Sequence, residues 1–505
     1  MGPNGTGAGT ASQSINILGS GTYTFSFWDS GVFGATFSLT ATVGPTTVFN
    51  ANVTNDTYVQ QSTTVNLATG VNNVQFSGAW ISGTNDSALF IDDVSLSLLN
   101  PFPPSLAAML PPSAPVNVVN VANSVDSFTG NGGTLPVGFQ NLFNLTPQQL
   151  QAALSQLSGE TATDSEKGAF QLMMEFLNVM LDPLVVGRGG MGGGAIGFAP
   201  ERQESFPPDI ALAYAGVLKV PPKPAAFDQR WTAWGSGFGG SSTTNGNAAA
   251  GTNDVTASTY GGVAGLDYHF TPDSVAGFAL AGAGTNWNLA QGLGGGQSEA
   301  FQVGLYGKTQ AGPAYLAAAL AFGNHWMTTN RFAALGDQLT ARFDAQSYGG
   351  RIEGGYRFGT PVLGAAPYAA IQVQSFHTPT YSETDLSGLG FGLTYNSMSA
   401  TDTRSELGAR FDDLTAVGAM PLVLRARLAW AHDWVSNPAL GAVFQALPGS
   451  SFTVDGAAPP QDSALASAGA ELHITPALAL LAKFDGEFAN GSQTYAGTAT
   501  LRYAW

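Results

Sequence analysis

Few side chains in this sequence sit where chemistry is usual. Asp92 and Asp93 stand side by side near the end of the first hundred residues, and neighbouring carboxylates offer calcium the hard oxygen ligands it prefers. The competing reading is that the pair caps and turns a strand. Trp28, Tyr58 and Trp80 could stack on sugar rings or pack in a core. The five histidines, His269, His325, His377, His432 and His473, all lie in the C-terminal half. The first half therefore lacks a histidine base to activate a serine nucleophile. No G-x-S-x-G turn with a suitable partner and no H-E-x-x-H helix occurs. The expectation is a chain with no catalytic residues and no cofactor, and no metal site other than the aspartate pair.

The second half orders its charges differently. Asp402, Arg404, Glu406, Arg410 and Asp412 alternate with Thr403, Ser405, Leu407, Ala409 and Phe411. Arg425, Arg427 and Asp433 oppose Leu422, Leu424, Ala426, Leu428 and Trp430, while Lys483, Asp485 and Glu487 oppose Leu478, Leu480, Phe484 and Phe488. Period-two alternation means strands with one charged and one apolar face. From Phe227 onward such segments recur, parted by Gly, Pro, Asn and Asp clusters, and twelve are countable, beginning near Arg230, Thr256, Ser274, Ser298, Pro313, Thr340, Pro367, Met398, Leu422, Ser463, Ala477 and Thr494. Twelve apolar faces with no second set to bury them cannot make a sandwich core. Turned outward to lipid they make a closed barrel, the one strand architecture that satisfies its backbone in a membrane. The mixed-sign rows then become cross-strand ion pairs lining a wet lumen, with Arg404, Glu406, Arg410, Arg425, Arg427, Lys483, Asp485 and Glu487 facing it. Trp231, Trp234, Trp287, Trp326, Trp430 and Trp434 fall near strand ends, where interfacial girdles sit. Arg342 and Asp344 share parity with the outward Ile352 and Tyr356, so the early half of that strand should project beyond the membrane.

Composition agrees. Charged residues are 10% of the 505, against 44% hydrophobic, and Gly numbers 65, yet no run approaches the ~18 apolar residues of a spanning helix. The net charge of −17, with no Lys or Arg before Lys167, excludes nucleic acid as a partner. Absence of cysteine fits passage through an oxidising periplasm. Met1-Gly2-Pro3-Asn4 opens without the basic and apolar regions of a secretory signal, so the expected start is truncated, mis-assigned or trimmed.

Upstream of the strands, Thr146-Pro147 reads as a helix start, with apolar spacing at Leu150, Ala153, Leu154 and Leu157. A second helical run from Ala169 to Leu181 is read as ordinary packing, and Gly187 to Gly197 as flexible linker. Asp209 to Lys219, bounded by proline pairs, is the helix expected inside the pore.

The C-terminal Leu501, Tyr503 and Trp505 resemble the assembly signal of outer-membrane barrels, with Thr500 where that pattern has Gly. The segments Leu154-Ser155-Gln156-Leu157-Ser158-Gly159-Glu160, Gly168 to Met173 and Phe227 to Gly235 resemble the linker helices and first strand of the autotransporter (type V secretion) family. That resemblance implies a helix threading the lumen to an exported passenger, with outer-membrane lipid and the barrel-assembly machinery as partners. Some members cleave themselves between paired asparagines in that helix; Asp209 to Lys219 has no asparagine, so cleavage is not carried over.

The N-terminal part shows short strands at Thr22 to Trp28, Ala35 to Val43, Val48 to Val53, Val74 to Trp80 and Ala88 to Leu98. The stretches Gly21 to Trp28 and Phe90 to Leu96 resemble jelly-roll domains related to carbohydrate-binding modules, one opening strand short. The fold expected is all-β: a 12-stranded antiparallel transmembrane β-barrel with preceding linker helices and a small jelly-roll-like sandwich. Its divisions are a passenger at 1–100, a linker at 101–140, a helical linker at 141–226 and the barrel at 227–505. The function expected is an outer-membrane autotransporter displaying or secreting a passenger, an adhesin or a module for surface glycan. A porin-like channel, or a surface hydrolase whose catalytic region precedes Met1, are the alternatives.

Overall fold

Alternation of apolar and polar residues builds both parts of this molecule, with opposite polarity. The computed structural model describes residues 8–17, 21–68, 70–83, 88–101, 105–185, 230–360, 362–435 and 439–505. They divide into two units, Met1–Ala108 and Met109–Trp505.

In the first unit, β1 (Ala8–Ile17), β2 (Gly21–Ser30), β3 (Thr36–Val43), β4 (Thr46–Val53), β5 (Val59–Leu67), β6 (Gly70–Ser82) and β7 (Phe90–Pro101) form two antiparallel sheets, ordered β1-β6-β3-β4 and β5-β2-β7. Tyr23, Phe25 and Phe27 on alternate positions of β2 meet Leu39, Ala41 and Val43 of β3 between the sheets. Phe27 packs edge-on against Phe49 and Phe76 at 5.4 and 5.0 Å. The opening strand that the sequence seemed to lack is β1, paired along β6 from Ala8↔Ala79 to Ile17↔Gly70. Its Ser, Asn, Gln and Thr content hides it, because edge pairing needs backbone groups rather than apolar side chains.

The second unit is a closed barrel of twelve antiparallel strands. They are β8 (Trp231–Thr244), β9 (Val255–Thr271), β10 (Ser274–Leu289), β11 (Gly295–Ala311), β12 (Ala314–Phe332), β13 (Gln338–Tyr356), β14 (Leu363–Thr378), β15 (Met398–Val417), β16 (Met420–Val435), β17 (Asp462–His473), β18 (Leu478–Ala489) and β19 (Ser492–Ala504). Each pairs with its successor, and β19 returns to β8 from Ser492↔Thr244 to Ala504↔Thr232. Trp505 seals the seam: its N–H donates to the Trp231 carbonyl at 3.0 Å, and the Trp231 N–H to its own at 3.2 Å. Leu424, Leu428, Trp430, Phe484 and Phe488 point outward and are exposed. Outward parity also holds Arg342 and Asp344, on strands long enough at 19 residues to project past a hydrocarbon core that needs about 10.

Among the described residues, a single helical turn at Leu106–Met109 and four longer helices precede the barrel: α1 (Val116–Gly130), α2 (Val137–Leu142), α3 (Pro147–Leu157) and α4 (Ser165–Val185). The α3 start is a full capping box, with the Gln149 N–H donating to the Thr146 hydroxyl at 3.4 Å and the Thr146 N–H to Gln149 Oε1 at 3.1 Å. The stretch read as linker therefore carries α1 and α2. Its Val and Asn content has low helix propensity, and tertiary packing overrides it. The expected helix at Asp209 to Lys219, and the glycine tract before it, lie outside the described residues.

Candidate functional site

The lumen of the barrel is filled by α4. Its 21 residues, at ~1.5 Å each, reach about 31 Å, the thickness of a hydrocarbon core. Leu172, Met173, Phe176, Leu177 and Met180 form an apolar stripe that is fully buried against the inner faces of neighbouring strands. That wall is made small to receive it, with Ala279, Ala281, Ala300, Ala317 and Ala319 pointing inward. Two positions are smaller still. A Cβ on Gly304 would lie 2.5 Å from Met180 Sδ, and one on Gly349 2.6 Å from Met173 Sδ. Glycine lets helix and strand approach closely enough for dispersion contact. On another face of α4 the contacts are polar: Gln171 accepts from Ser242 at 3.0 Å, and Thr259 donates to Glu175 at 3.3 Å.

The remaining wall is charged and largely self-satisfied. Arg404 grips Asp433 at 2.6 Å and Glu487 at 2.6 Å. Glu406 accepts from Arg351 at 2.9 Å, Arg427 at 3.3 Å and the Tyr368 hydroxyl. Glu353 takes Arg351 at 2.8 Å and Arg410 at 3.0 Å, and the Arg410 guanidinium lies 4.8 Å over the Tyr368 ring. Lys483 bonds Asp485 at 3.0 Å, Arg427 lies 3.7 Å from Asp485, and Arg425 and Arg502 share Glu471. Seven of the eight residues expected to line the lumen are thus drawn into cross-strand pairs, and Lys483 bonds Asp485 along its own strand. The lumen around them is packed rather than wide and wet: a cavity of about 50 Å³ is left between Met174, Glu175, Arg351, Arg404 and Asp485.

Arg351, Glu353, Tyr315 and Tyr368 were missed by the sequence reading, although parity alone puts them on the inner face. The girdle assignment was wrong for two tryptophans. Trp234 points inward and donates to the Tyr306 hydroxyl at 2.8 Å, and Trp287 donates to the Thr161 carbonyl at 3.2 Å. Both have a polar partner inside, which an indole N–H needs when buried. Trp231, Trp326, Trp430 and Trp434 face outward and are exposed.

At the mouth opposite the chain's C-terminus, the helices before α4 are fastened to barrel loops. Two long loops add short strands, Tyr381–Ser382, Leu393–Tyr395, Ala439–Phe444 and Ser451–Asp455, as a separate sheet. The Asn117 side chain exchanges two hydrogen bonds of 2.9 Å with the Asp455 backbone, as a neighbouring strand would. Phe139 of α2 wedges between Phe391 and Phe444 at 4.8 and 5.0 Å. Arg331, doubly bonded to Glu383 at 2.7 Å, donates to the Gln156 carbonyl at 2.8 Å. Glu160 accepts from the Asn253 backbone and side chain at 2.7 and 2.6 Å. Burial, opposed by those two bonds and reinforced by the Asp164 charge, pushes its carboxyl up to about 7.

No catalytic arrangement accompanies this seat among the described residues. His325 bonds Ser347 at 2.8 Å, but both are fully buried and Ser298 rather than a carboxylate approaches the other ring nitrogen at 3.5 Å. In the first unit, Asp92 accepts from the Asp93 N–H at 2.8 Å at a bulge of β7 where Asp93 has φ 46°. Trp80 faces the core opposite Phe37, Tyr58 is exposed in a loop, and Trp28 lies on the outer face.

A plug helix in a twelve-strand barrel is what an exported N-terminal part would leave behind. The family model of the autotransporter beta-domain matches residues 233–485, half of the 505-residue chain. This chain belongs to the autotransporter family. It is an outer-membrane protein, and the family generally displays or secretes an N-terminal passenger and is inserted by the barrel-assembly machinery. An extracellular serine protease of Serratia marcescens is 24% identical over 253 residues, covering 49% of this chain and 23% of the relative. The chain thus matches under a quarter of that relative's length. Among solved structures, the translocator domain of autotransporter NalP from Neisseria meningitidis is similar at 13% identity and TM-score 0.45, over 54% of this chain and 88% of that one. The beta domain of the Bordetella autotransporter BrkA is similar at 19% identity and TM-score 0.43, over 55% and 100%.

Proposed function

We propose that residues 1–100 are a displayed passenger that stays attached and binds neutral glycan, that the helical stretch spanning 101–140 and 141–226 tethers it, and that 227–505 anchors it. The observation that carries this reading is the outer face of β5-β2-β7. Along it Trp28 is flanked by Gln60 and Asp92, Ser26 by Ser62 and Ser95, and Thr24 by Thr64 and Ser97. At the end of the row Thr22 donates to Asn66 at 2.8 Å. Hydroxyls and amides exchange hydrogen bonds with sugar hydroxyls, and an indole face covers the apolar face of a sugar ring. Successive rows stand about 7 Å apart, so the ladder runs along several sugar units. Cells displaying Trp28→Ala should lose at least tenfold in retention on immobilised cellulose, xylan or starch, whichever retains the wild type, at equal surface amount. Unchanged retention of the variant would refute the glycan reading.

Two companion assignments rest on the same frame. Leu501, Tyr503 and Trp505 present three exposed apolar side chains on one outward face, fitting an assembly signal; Trp505→Ala should lower the amount of folded barrel in the membrane. The eight lumen charges serve to shape the barrel wall. Residues 1–268 hold no histidine, so a hydrolase would need its histidine base outside them, and α4 filling the lumen disfavours a porin.

A further inference from the structure

Near the N-terminal end of α4 the lumen holds polar atoms that the ion-pair network leaves out. Gln374 and Asp402 face each other across β14 and β15, and both point inward. Glu166, in the first turn of α4, lies within electrostatic reach of Asp402. These side chains are 2% (Glu166), 3% (Gln374) and 8% (Asp402) exposed. Glu166 Oε2, Asp402 Oδ1 and Gln374 Oε1 are each buried without a hydrogen-bond partner, and all three residues line one cavity of about 130 Å³.

The charges around that cavity do not balance. Glu166, Asp402, Asp433 and Glu487 line it against Lys167 and Arg404. Arg404 is held by Asp433 and Glu487, and Lys167 donates to Asp164 at 3.1 Å. Glu166 and Asp402 are left as two carboxyls without a bonded base. Water can satisfy an orphaned oxygen, but it brings no positive charge to hold two carboxylates ionised out of bulk solvent. A divalent cation does both. The lining offers no histidine, and the chain has no cysteine, so the donors are hard oxygens.

We propose that this cavity binds one divalent cation of the calcium or magnesium class, held by Glu166 of the plug helix and by Asp402 and Gln374 of the wall, with water completing its shell. No set of three acids or histidines arranged for a metal occurs among the described residues; here an amide oxygen is the third donor. The ion bridges α4 to β14 and β15 and so holds the plug by its N-terminal end, independently of what the passenger binds.

The test is calorimetric titration of the purified full chain in detergent with calcium and with magnesium, beside planar-bilayer recording. The expected result is one ion per chain for at least one of the metals, with a Kd of roughly 10⁻⁴ to 10⁻³ M as for weak oxygen sites. Asp402→Asn should weaken it at least tenfold and Gln374→Ala several-fold, and chelator should raise the open fraction of wild type but not of Asp402→Asn. A passenger double variant, Asp92→Asn with Asp93→Asn, should leave the titration unchanged. Absence of binding, binding undiminished in both lumen variants, or binding lost in the passenger variant would each overturn the proposal.

Discussion

The two walls of the lumen solve the same problem with different chemistry. Where β10 to β13 meet the apolar stripe of α4, the inward row is alanine and glycine in close contact with it. On β15, β16 and β18 the inward row carries arginine and carboxylate, paired across strands and with Arg351 of β13. One wall is shaped to hold a helix. The other closes on itself, so the helix can pass beside it. Buried ion pairs are a poor source of net stability, since desolvation offsets their attraction, but removing a single partner is costly. Small-residue packing behaves inversely: deleting atoms matters little there, and adding them is what disrupts it.

The largest effect should therefore come from overfilling the small wall. Gly304→Leu with Gly349→Leu places side chains where Met180 and Met173 now sit, and the barrel should convert from closed to steadily conducting in a planar bilayer. On the charged wall, Glu406→Ala leaves Arg351 and Arg427 without their shared carboxylate. It should destabilise the barrel by ~3–5 kcal/mol, read from heat-induced unfolding on gels, with conductance still closed. Conductance changes from both variants would erase the distinction between the walls.

A smaller effect should appear where the cap meets the mouth. Folding favours the protonated form of Glu160 between its free value of 4.5 and about 7. Its contribution is fully present below 4.5 and is lost as pH rises through about 7, by roughly 3 kcal/mol. Limited proteolysis of α1 to α3 should accelerate between pH 5 and pH 8, and Glu160→Gln should flatten that profile. The smallest effect belongs to the seam. Thr500 and Ser236 share a buried hydrogen bond of 2.8 Å, and Ser236 also donates to the Ala499 carbonyl at 3.2 Å. Thr500→Val should cost about 1 kcal/mol in the same unfolding assay.

The charged wall was legible in the sequence, and the small wall was not. Arg404, Glu406 and Arg410 alternate with Leu407, Ala409 and Phe411, so face and environment are readable together. In Ala276 to Ala283 one face carries Phe278 and Leu280 and the other only glycine and alanine, so neither face has a charge to mark what lies inside. The expected pore helix at Asp209 to Lys219 lies outside the described residues, and the run from Ala169 to Leu181, read as ordinary packing, is the part of α4 that fills the lumen. A length near 31 Å and the inward alanines and glycines of β10 to β13 were the available signals. Trp234 and Trp287 were misplaced because an aromatic near a strand end fits either face, and only the inner hydrogen-bond partner decides. In the sandwich, β1 escaped because an edge strand needs no apolar row. The assembly ending and the linker motifs carried the family correctly, since they depend on local pattern rather than on packing.

In the proposed topology α4 and the barrel leave the sandwich outside the cell. With no cysteine in the chain, single introduced thiols report topology cleanly. Ser62→Cys on the sandwich and Asp273→Cys in the turn between β9 and β10, both exposed, should be treated on intact cells with a membrane-impermeant maleimide. Ser62→Cys should be labelled on intact cells, and Asp273→Cys only after the outer membrane is permeabilised. Labelling of Asp273→Cys on intact cells with Ser62→Cys protected would contradict that topology.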